Sequence, residues 1–337
     1  MQNTQVLKIC IVKLSAMGDI IHAMVSLQFI KKEYPNSIID WIVEDSFKGV
    51  LENNPDINNI LPINLKLIKK NKMQIFSQIK ILKQYAKNNY DIVIDAQGLL
   101  KSAIASKIIG GRVVGSKIIG FDKNSIREGV ASFFYDHKLS IGYEKNVIDR
   151  NIKVLCKSLE INVSKEKILN KEKFLFFVDS NKKSFYKKNI VFVVGASKSN
   201  KIYPKEKYLE LAFLLEKDIL VVWGNEEEYQ TAQWLSDKCS FISIAQKGNL
   251  NDLKSIISKA SLVIGSDTGP THMAWALNIP SITIFGNTPE NRNTYVTDIN
   301  KVISSSSKVN PLKLDKNDFS IRDIKVENIC ELAKEIL

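Results

Sequence analysis

The sequence predicts an α/β protein with two doubly wound domains, each built on a parallel sheet. Runs rich in Ile, Val and Leu alternate with amphipathic helical segments. This alternation stops in a lysine-rich irregular stretch and then starts again. A chain of 337 residues with 45% hydrophobic and 25% charged residues suits two globular domains. The predicted divisions are a first domain at 1–165, a linker at 166–188, a second domain at 189–315, and a C-terminal segment at 316–337 whose helix we expect to pack back on the first domain.

The first half contains strands and helices in alternation. Apolar runs predict strands at 6–14, 38–44, 59–63 and 90–96, with further short strands near RVVG and KIIG. Helical patterns fall at 20–34, 46–53, 73–87, 99–109 and 146–159. In the helix predicted over 73–87, the spacing of Ile75, Ile79, Leu82 and Ala86 predicts one buried face.

The second half repeats the same alternation. Strands are predicted at 189–196, 219–224, 241–246, 261–267 and 281–286. Helices are predicted at 204–217, 226–239, 249–260, 269–278 and 325–337. Pro204 suits the first position of its helix.

Composition excludes several classes of protein. Four scattered cysteines without CxxC spacing predict reduced thiols in a cytoplasmic protein, and no stretch reaches the roughly 18 apolar residues of a membrane span. The three histidines are far apart, so we expect no metal site. The net charge of +12 suits nucleic acid, an anionic membrane or a phosphorylated substrate. Because no nucleic-acid motif is present, we expect no nucleic-acid partner.

Four turns at predicted strand ends contain reactive groups: SAMGD, DAQGLLKS, GASKSNK and SDTGPTH. Ligands of doubly wound folds bind beyond the carboxyl ends of strands, which predicts a cleft between the domains lined by these turns. No G-x-G-x-x-G and no G-x-x-x-x-G-K-[ST] is present, so a nicotinamide dehydrogenase and a P-loop kinase are excluded.

The turn SDTGPTH predicts a phosphate site, because a helix beginning at Thr268 and Gly269 presents unpaired N–H groups to an anion. Asp267 suits sugar hydroxyls better than phosphate. His272 suits phosphate or ribose, or is an ordinary histidine on a helix face.

Two further turns add donor-binding candidates. Ser197, Lys198 and Lys201 follow the strand that opens the second domain, where two lysines and a serine facing a helix end would together bind an anion. Glu226 would accept ribose hydroxyls, or simply begins the next helix, where acidic residues are favoured.

In the first domain, Gly18 and Asp19 lie in the turn after the first strand. Asp19 is either a helix cap or a reactive carboxylate. Residues 64–90 contain seven lysines and no acid. Those in the later helix suit a solvated face, whereas basic groups in loops would grip an anionic substrate. The candidates for that role are Lys66, Lys69, Lys101 and Arg127.

The stretches KLSAMGDIIH, VIDAQGLLKSA, REGVASFFY, WGNEEE and SDTGPTHMAWAL resemble, in order, motifs of the bacterial lipopolysaccharide heptosyltransferases. That resemblance implies the GT-B architecture, with two Rossmann-like domains facing across a cleft. DAQGLLKSA and REGVASFFY resemble the members that add the first heptose to the inner Kdo of Kdo-lipid A. The implied donor is ADP-heptose, and the implied reaction inverts the anomeric carbon.

The resemblance also implies roles for residues. Asp19 matches the general base, and Lys201 matches the lysine that neutralises the leaving diphosphate. The donor-binding positions and the basic acceptor contacts match the residues named above. The implied protein is a monomer without cofactor or metal, bound peripherally at the cytoplasmic face of the inner membrane.

Three alternatives remain. One is another heptosyl- or hexosyltransferase of the family with a different acceptor. Another is a UDP-sugar 2-epimerase, which has the same two-domain fold and needs no acceptor pocket. The third is a basic protein that binds nucleotide or membrane without turnover.

Overall fold

The computed structural model describes residues 6–111, 114–179 and 190–337. It divides into two compact units, Met1–Phe176 and Phe177–Leu337. This division falls within the range 166–188 predicted for the linker, of which residues 180–188 lie outside the described part. In the described residues, no helix is both long and apolar enough to cross a membrane.

The first unit contains a six-stranded parallel sheet in the order β3-β2-β1-β4-β5-β6. Its strands are β1 (Lys8–Val12), β2 (Ile38–Glu44), β3 (Asn59–Ile63), β4 (Ile92–Asp95), β5 (Lys117–Phe121) and β6 (His137–Leu139). Its helices are α1 (Met17–Met24), α2 (Ser26–Glu33), α3 (Lys48–Leu51), α4 (Lys66–Lys70), α5 (Gln74–Tyr85), α6 (Leu100–Gly110), α7 (Val147–Leu155) and α8 (Lys165–Leu169). The central strands are buried on both sides, as expected for a parallel sheet covered by helices.

The second unit repeats this topology, with the order β12-β11-β10-β7-β8-β9. Its strands are β7 (Ile190–Val193), β8 (Ile219–Val222), β9 (Ile242–Ile244), β10 (Leu262–Ser266), β11 (Ser281–Phe285) and β12 (Asn300–Ser304). Its helices are α9 (Lys205–Leu215), α10 (Glu226–Lys238), α11 (Leu250–Ser258), α12 (Gly269–Ala276), α13 (Glu290–Asn293) and α14 (Val326–Ile336). Both sheets therefore have the doubly wound order, and the prediction of two α/β domains is confirmed.

The structure corrects the expectation that the last helix packs on the first domain. Helix α14 packs against α9, and its apolar residues Val326, Ile329 and Ala333 are buried in the same cluster as Phe192 of β7. The C-terminal segment thus completes the core of the second unit.

Two edge strands, β6 and β12, are absent from the sequence-based prediction. They are short, and each contains a lysine in place of an uninterrupted apolar run. Edge strands are half-solvated, so hydrophobicity gives little signal for them. Of the strand predicted near RVVG, residues 112 and 113 lie outside the described part. The helix predicted over 20–34 is divided into α1 and α2 at Val25.

Candidate functional site

The first unit has its topological switch point between β1 and β4, which pair directly in the centre of the sheet. The loops that follow these strands are the stretches SAMGD and DAQG of the sequence. Crevices at such a point are where doubly wound folds bind ligands. The strand order therefore brings together two of the four predicted turns.

Gln97 and Lys13 connect these two loops. The Gln97 Oε1 atom accepts hydrogen bonds from the backbone amides of Leu14 at 2.9 Å and Ser15 at 3.0 Å. The buried Lys13, directly after β1, also contacts the β4 loop, because its Nζ donates to the Ala96 carbonyl at 2.8 Å. The start of the Asp19 turn is thus held by the neighbouring loop.

Asp95 in turn holds the loop that carries Gln97. Its Oδ1 accepts from the amides of Gln97 at 2.8 Å and Gly98 at 3.1 Å, and its Oδ2 accepts from the Tyr135 hydroxyl at 2.7 Å. Burial raises the pKa of Asp95, against the lowering effect of these hydrogen bonds. Gly98 has a φ of +69°, and a Cβ there would lie 2.6 Å from the Ile126 side chain, so this turn requires glycine.

Asp19 lies in the first turn of α1 and is partly exposed. Ala16 is the N-cap residue, and Asp19 is the third residue of the helix. The Asp19 Oδ2 atom accepts a hydrogen bond from the Ala16 amide at 3.2 Å. Asp19 therefore supports the helix start from inside the first turn, which is the second half of a capping box. This contact leaves lone pairs on the carboxylate for a substrate proton.

The basic acceptor candidates lie on two sides of this switch point. Lys66 begins α4, and its ammonium lies 3.1 Å from the Ser46 hydroxyl and 5.5 Å from the centre of the Phe47 ring. The Lys69 backbone belongs to the same helix, and its side chain lies outside the described part of the structure. Glu44, at the end of β2, accepts from the Lys66 amide at 3.3 Å and so holds α4 at the carboxyl edge of the sheet.

The other two acceptor candidates, Lys101 and Arg127, are exposed. Lys101 is in the first turn of α6, and the neighbouring Leu100 amide donates to Glu128 at 2.7 Å. The Arg127 guanidinium lies 5.1 Å from the centre of the Tyr143 ring. Glu128 thus places the Arg127 segment next to the β4 loop.

The second unit has an equivalent switch point between β7 and β10. The loops there are GASKSNK and SDTGPTH, the remaining two strand-end turns. Lys201 connects them, since its Nζ donates to Oδ2 of Asp267 and to the backbone carbonyl of Asp267, both at 2.7 Å. An ammonium group has three N–H bonds, so two are directed to Asp267.

The Asp267 carboxylate is the centre of a buried network. Its Oδ1 lies 2.9 Å from Nε2 of His272. Its Oδ2 accepts from Lys201 and also from the Thr288 hydroxyl at 2.9 Å and the side-chain amide of Asn293 at 3.0 Å. Because these partners are protein groups, Asp267 acts in this structure as an internal anchor of the site.

Charge explains why a carboxylate is stable here. Burial by itself would raise the pKa of Asp267, but the positive charge of Lys201 and the hydrogen bond from His272 hold that pKa well below its ordinary value. An ionised carboxylate only accepts hydrogen bonds, so Nε2 of His272 carries the hydrogen. The imidazole is buried.

The start of α12 is the candidate anion-binding surface of this unit. Thr268 is its N-cap residue, Gly269 is its first residue, and Pro270 follows. The Thr271 hydroxyl donates to the Ser266 carbonyl at 2.8 Å, while the Thr268 hydroxyl lies 3.3 Å from that of Thr271. The first backbone N–H groups of a helix have no partner within it, so this end attracts a phosphate.

Ser197 and Glu226 are exposed on the neighbouring loops. Glu226 is the first residue of α10. The N-cap residue Asn225 accepts from the Glu228 amide, and the Glu228 carboxylate accepts from the Gly224 amide at 2.7 Å and the Asn225 side chain at 2.9 Å. Glu228 also covers Gly195, where any Cβ would collide with its carboxylate. Glu228 therefore fixes the β8 loop and packs against Gly195 of the β7 loop.

The functional candidates that sequence reasoning missed are Gln97, Glu228, Thr288 and Asn293. The first two lie within motifs already singled out, and for Gln97 the switch-point topology is the signal that pairs its motif with the Asp19 turn. Thr288 and Asn293 are distant from Asp267 along the chain, so no local pattern connects them. Among the described residues, no group of three or more His, Cys, Asp or Glu side chains is arranged to hold a metal ion. The expectation that no metal is required stays a prediction.

Two doubly wound units, each with reactive loops at its switch point, have the architecture of a GT-B glycosyltransferase. The Escherichia coli heptosyltransferase WaaC with ADP shares this fold, with a TM-score of 0.82 at 23% identity over 98% of this chain and 100% of that chain. The E. coli ADP-heptose heptosyltransferase II has a TM-score of 0.73 at 16% identity over 98% of each chain.

The family model described as glycosyltransferase family 9 (heptosyltransferase) matches residues 78–319. The chain is 41% identical to lipopolysaccharide heptosyltransferase 1 of Campylobacter coli, over 98% of this chain and 99% of that protein. It is 28% identical to lipopolysaccharide heptosyltransferase 1 of E. coli K12, over 84% and 88%. The chain therefore belongs to glycosyltransferase family 9, and the predicted fold, family and enzyme class are confirmed.

Proposed function

We propose that this glycosyltransferase transfers L-glycero-D-manno-heptose from ADP-heptose to the inner Kdo of Kdo-lipid A, with inversion at the anomeric carbon. The observation that carries the proposal is that the first unit has a carboxylate at its switch point, while the second unit has a lysine and a helix start at its own switch point. A nucleophilic substitution at a sugar diphosphate needs a proton acceptor and a group that stabilises the leaving anion. The relatives named heptosyltransferase 1 support the choice of reaction.

The second unit binds the donor in this proposal. The N–H groups at the start of α12 and the Lys201 ammonium receive the diphosphate, with Ser197 as a further hydroxyl donor. Glu226 accepts hydrogen bonds from the ribose. A relative in structure, E. coli WaaC, has been solved with ADP-2-deoxy-2-fluoro heptose, which supports ADP-heptose as the donor.

In the first unit, Asp19 accepts the proton of the attacking Kdo hydroxyl. The acceptor oxygen forms a bond to the anomeric carbon from the face opposite to ADP, and the bond from that carbon to the ADP oxygen breaks. The negative charge that develops on ADP is stabilised by Lys201 and the α12 N-terminus. Lys66, Lys69, Lys101 and Arg127 bind the anionic groups of the acceptor. In this proposal the enzyme acts as a monomer, without metal, at the cytoplasmic face of the inner membrane.

A product assay with ADP-heptose tests the function. We expect heptose to appear on Kdo-lipid A and ADP to be released only when this acceptor is present. Consumption of a nucleotide sugar without acceptor would indicate epimerase chemistry. No consumption of ADP-heptose in the presence of Kdo-lipid A would contradict the proposal.

Gln97 is expected to position the Asp19 turn. Gln97→Met removes the acceptor of the Leu14 and Ser15 amides at similar side-chain length, and we expect kcat to fall by up to about 100-fold through misplacement of the turn. The KM for ADP-heptose should change little, because Gln97 belongs to the other switch point. Steady-state kinetics with Kdo-lipid A measure both values.

Gln97→Glu is the matched control for this prediction. Glutamate keeps an oxygen that accepts from both amides but lacks the donor group of the amide, so most of the activity should return. If Gln97→Glu is as impaired as Gln97→Met, the side chain acts by donating to substrate, and the positioning role is wrong.

A further inference from the structure

Helix α5 has two contrasting faces. Gln78 and Leu82 lie on its buried face, and Ala86, just after the helix, continues that face. Ile75, predicted from the sequence to share this face, is instead 43% exposed. At steps of three and four residues on the opposite side lie Met73, Phe76, Lys80, Lys83 and Lys87.

The apolar end of this outer face is unusually exposed. Met73 is 67% exposed and Phe76 is 64% exposed. Leu67 on the preceding helix α4 is 38% exposed. Exposed large apolar side chains that lie close together mark a surface that contacts another molecule or a membrane. We call the exposed residues of 66–87 the α4–α5 surface.

The charge of this surface has a single sign. Residues 64–90 contain seven lysines and neither aspartate nor glutamate. Lys80, Lys83 and Lys87 are exposed in line behind Phe76. Helices that lie at the surface of an anionic bilayer typically combine exposed apolar side chains with a row of lysines on one face. Here Met73 and Phe76 are the apolar side chains, and the three lysines follow them. The 12 residues of α5 are too few to span a bilayer.

We propose that the α4–α5 surface docks on an anionic lipid bilayer. Met73 and Phe76 enter the boundary between headgroups and acyl chains, and Lys80, Lys83 and Lys87 contact lipid phosphates. This inference deepens the proposed function and rests on it in one respect, namely that the acceptor is a membrane lipid. The charge complementarity favours a lipid surface over an apolar protein groove, because every charged side chain in residues 64–90 is a lysine.

Vesicle co-sedimentation of the full chain tests the docking surface. The vesicles contain phosphatidylcholine with or without phosphatidylglycerol and no lipopolysaccharide. We expect binding to the anionic vesicles that weakens with salt. Met73→Ser with Phe76→Ser should lower the partition constant at least about tenfold, because two large side chains lose their apolar contact. Lys80→Gln, Lys83→Gln and Lys87→Gln together should abolish the preference for anionic lipid.

The matched control is Phe213→Ser with Leu312→Ser, which removes apolar residues of similar exposure, 50% and 64%, from the second unit. This control should bind vesicles as the wild type does. Unchanged binding by the Met73 and Phe76 variant, or equal loss in the control, would overturn the proposal. All variants should transfer heptose to a deacylated, water-soluble acceptor at the wild-type rate. Absence of that transfer in the wild type would count against the proposed function and not against the docking surface.

Discussion

Replacing Asp19 by asparagine is expected to lower kcat by about 1,000-fold while the protein stays folded, since a positioned general base contributes about 10²–10⁴-fold. Asparagine cannot take up the proton of the acceptor hydroxyl. Its side-chain oxygen can still accept from the Ala16 amide, the contact that Asp19 makes at 3.2 Å. The loss should therefore appear in turnover and not in ADP binding. Single-turnover kinetics with Kdo-lipid A and calorimetric titration with ADP measure the two effects.

Asp19→Ala separates the chemical role from the helix-capping role. This variant loses both the base and the acceptor of the Ala16 amide, so it should be as inactive as Asp19→Asn and also less stable, by about 1 kcal/mol. If Asp19→Asn retains wild-type turnover while Asp19→Ala loses stability, Asp19 is a capping residue only. The two thermal unfolding curves, compared with the two rates, decide between the roles.

Replacing Asp267 is expected to have the largest effect on stability. Asp267→Ala leaves Lys201 and His272 without their buried acceptor, and breaking such a pair costs about 3–5 kcal/mol. Donor binding should weaken as well, since Lys201 loses one of the two hydrogen bonds that fix its position and keeps only the one to the backbone carbonyl of residue 267. Urea unfolding of the second unit and ADP titration measure these losses. Asp298→Asn, which changes an exposed carboxylate of the same unit, should change neither.

The pH dependence of this effect has a defined sign. The pKa of Asp267 in the folded protein lies well below the ordinary value of 3.8, so folding is favoured by its ionised form. The contribution is complete above about pH 5, where the carboxylate is ionised in both states, and declines as pH falls below 3.8 towards the folded-state pKa. The difference in unfolding free energy between the wild type and Asp267→Ala should narrow over that range. A constant difference down to pH 3 would contradict the assigned role.

The sequence predicted the central strands well because they are continuous apolar runs buried on both sides of a sheet. It also identified the four loops that carry the reactive groups. It missed β6 and β12, where half-solvated edges show little hydrophobic pattern, and it placed the last helix on the wrong unit. The apolar face of an amphipathic helix shows that this face is buried, but it does not show which part of the protein buries it.

The sequence predicted which types of residue form the candidate site better than it predicted the contacts between them. Lys201 and Asp267 were both singled out, but their ion pair joins two loops 66 positions apart in sequence, and spacing alone does not reveal it. From the sequence, Asp267 was expected to contact sugar hydroxyls. In the structure its Oδ2 accepts from Lys201, Thr288 and Asn293, and its Oδ1 accepts from His272. Long-range pairing of this kind depends on strand order, which sequence patterns specify weakly.

The Lys201–Asp267 contact also bears on conformational entropy. A free lysine side chain has rotamer entropy worth about 2 kcal/mol, and ordering it on arrival of a ligand would weaken binding by part of that amount. Here two hydrogen bonds of 2.7 Å to Asp267 fix the ammonium. The ordering of Lys201 thus accompanies folding of the chain, and in the proposed function the diphosphate of the donor meets a charge that is held in place beforehand.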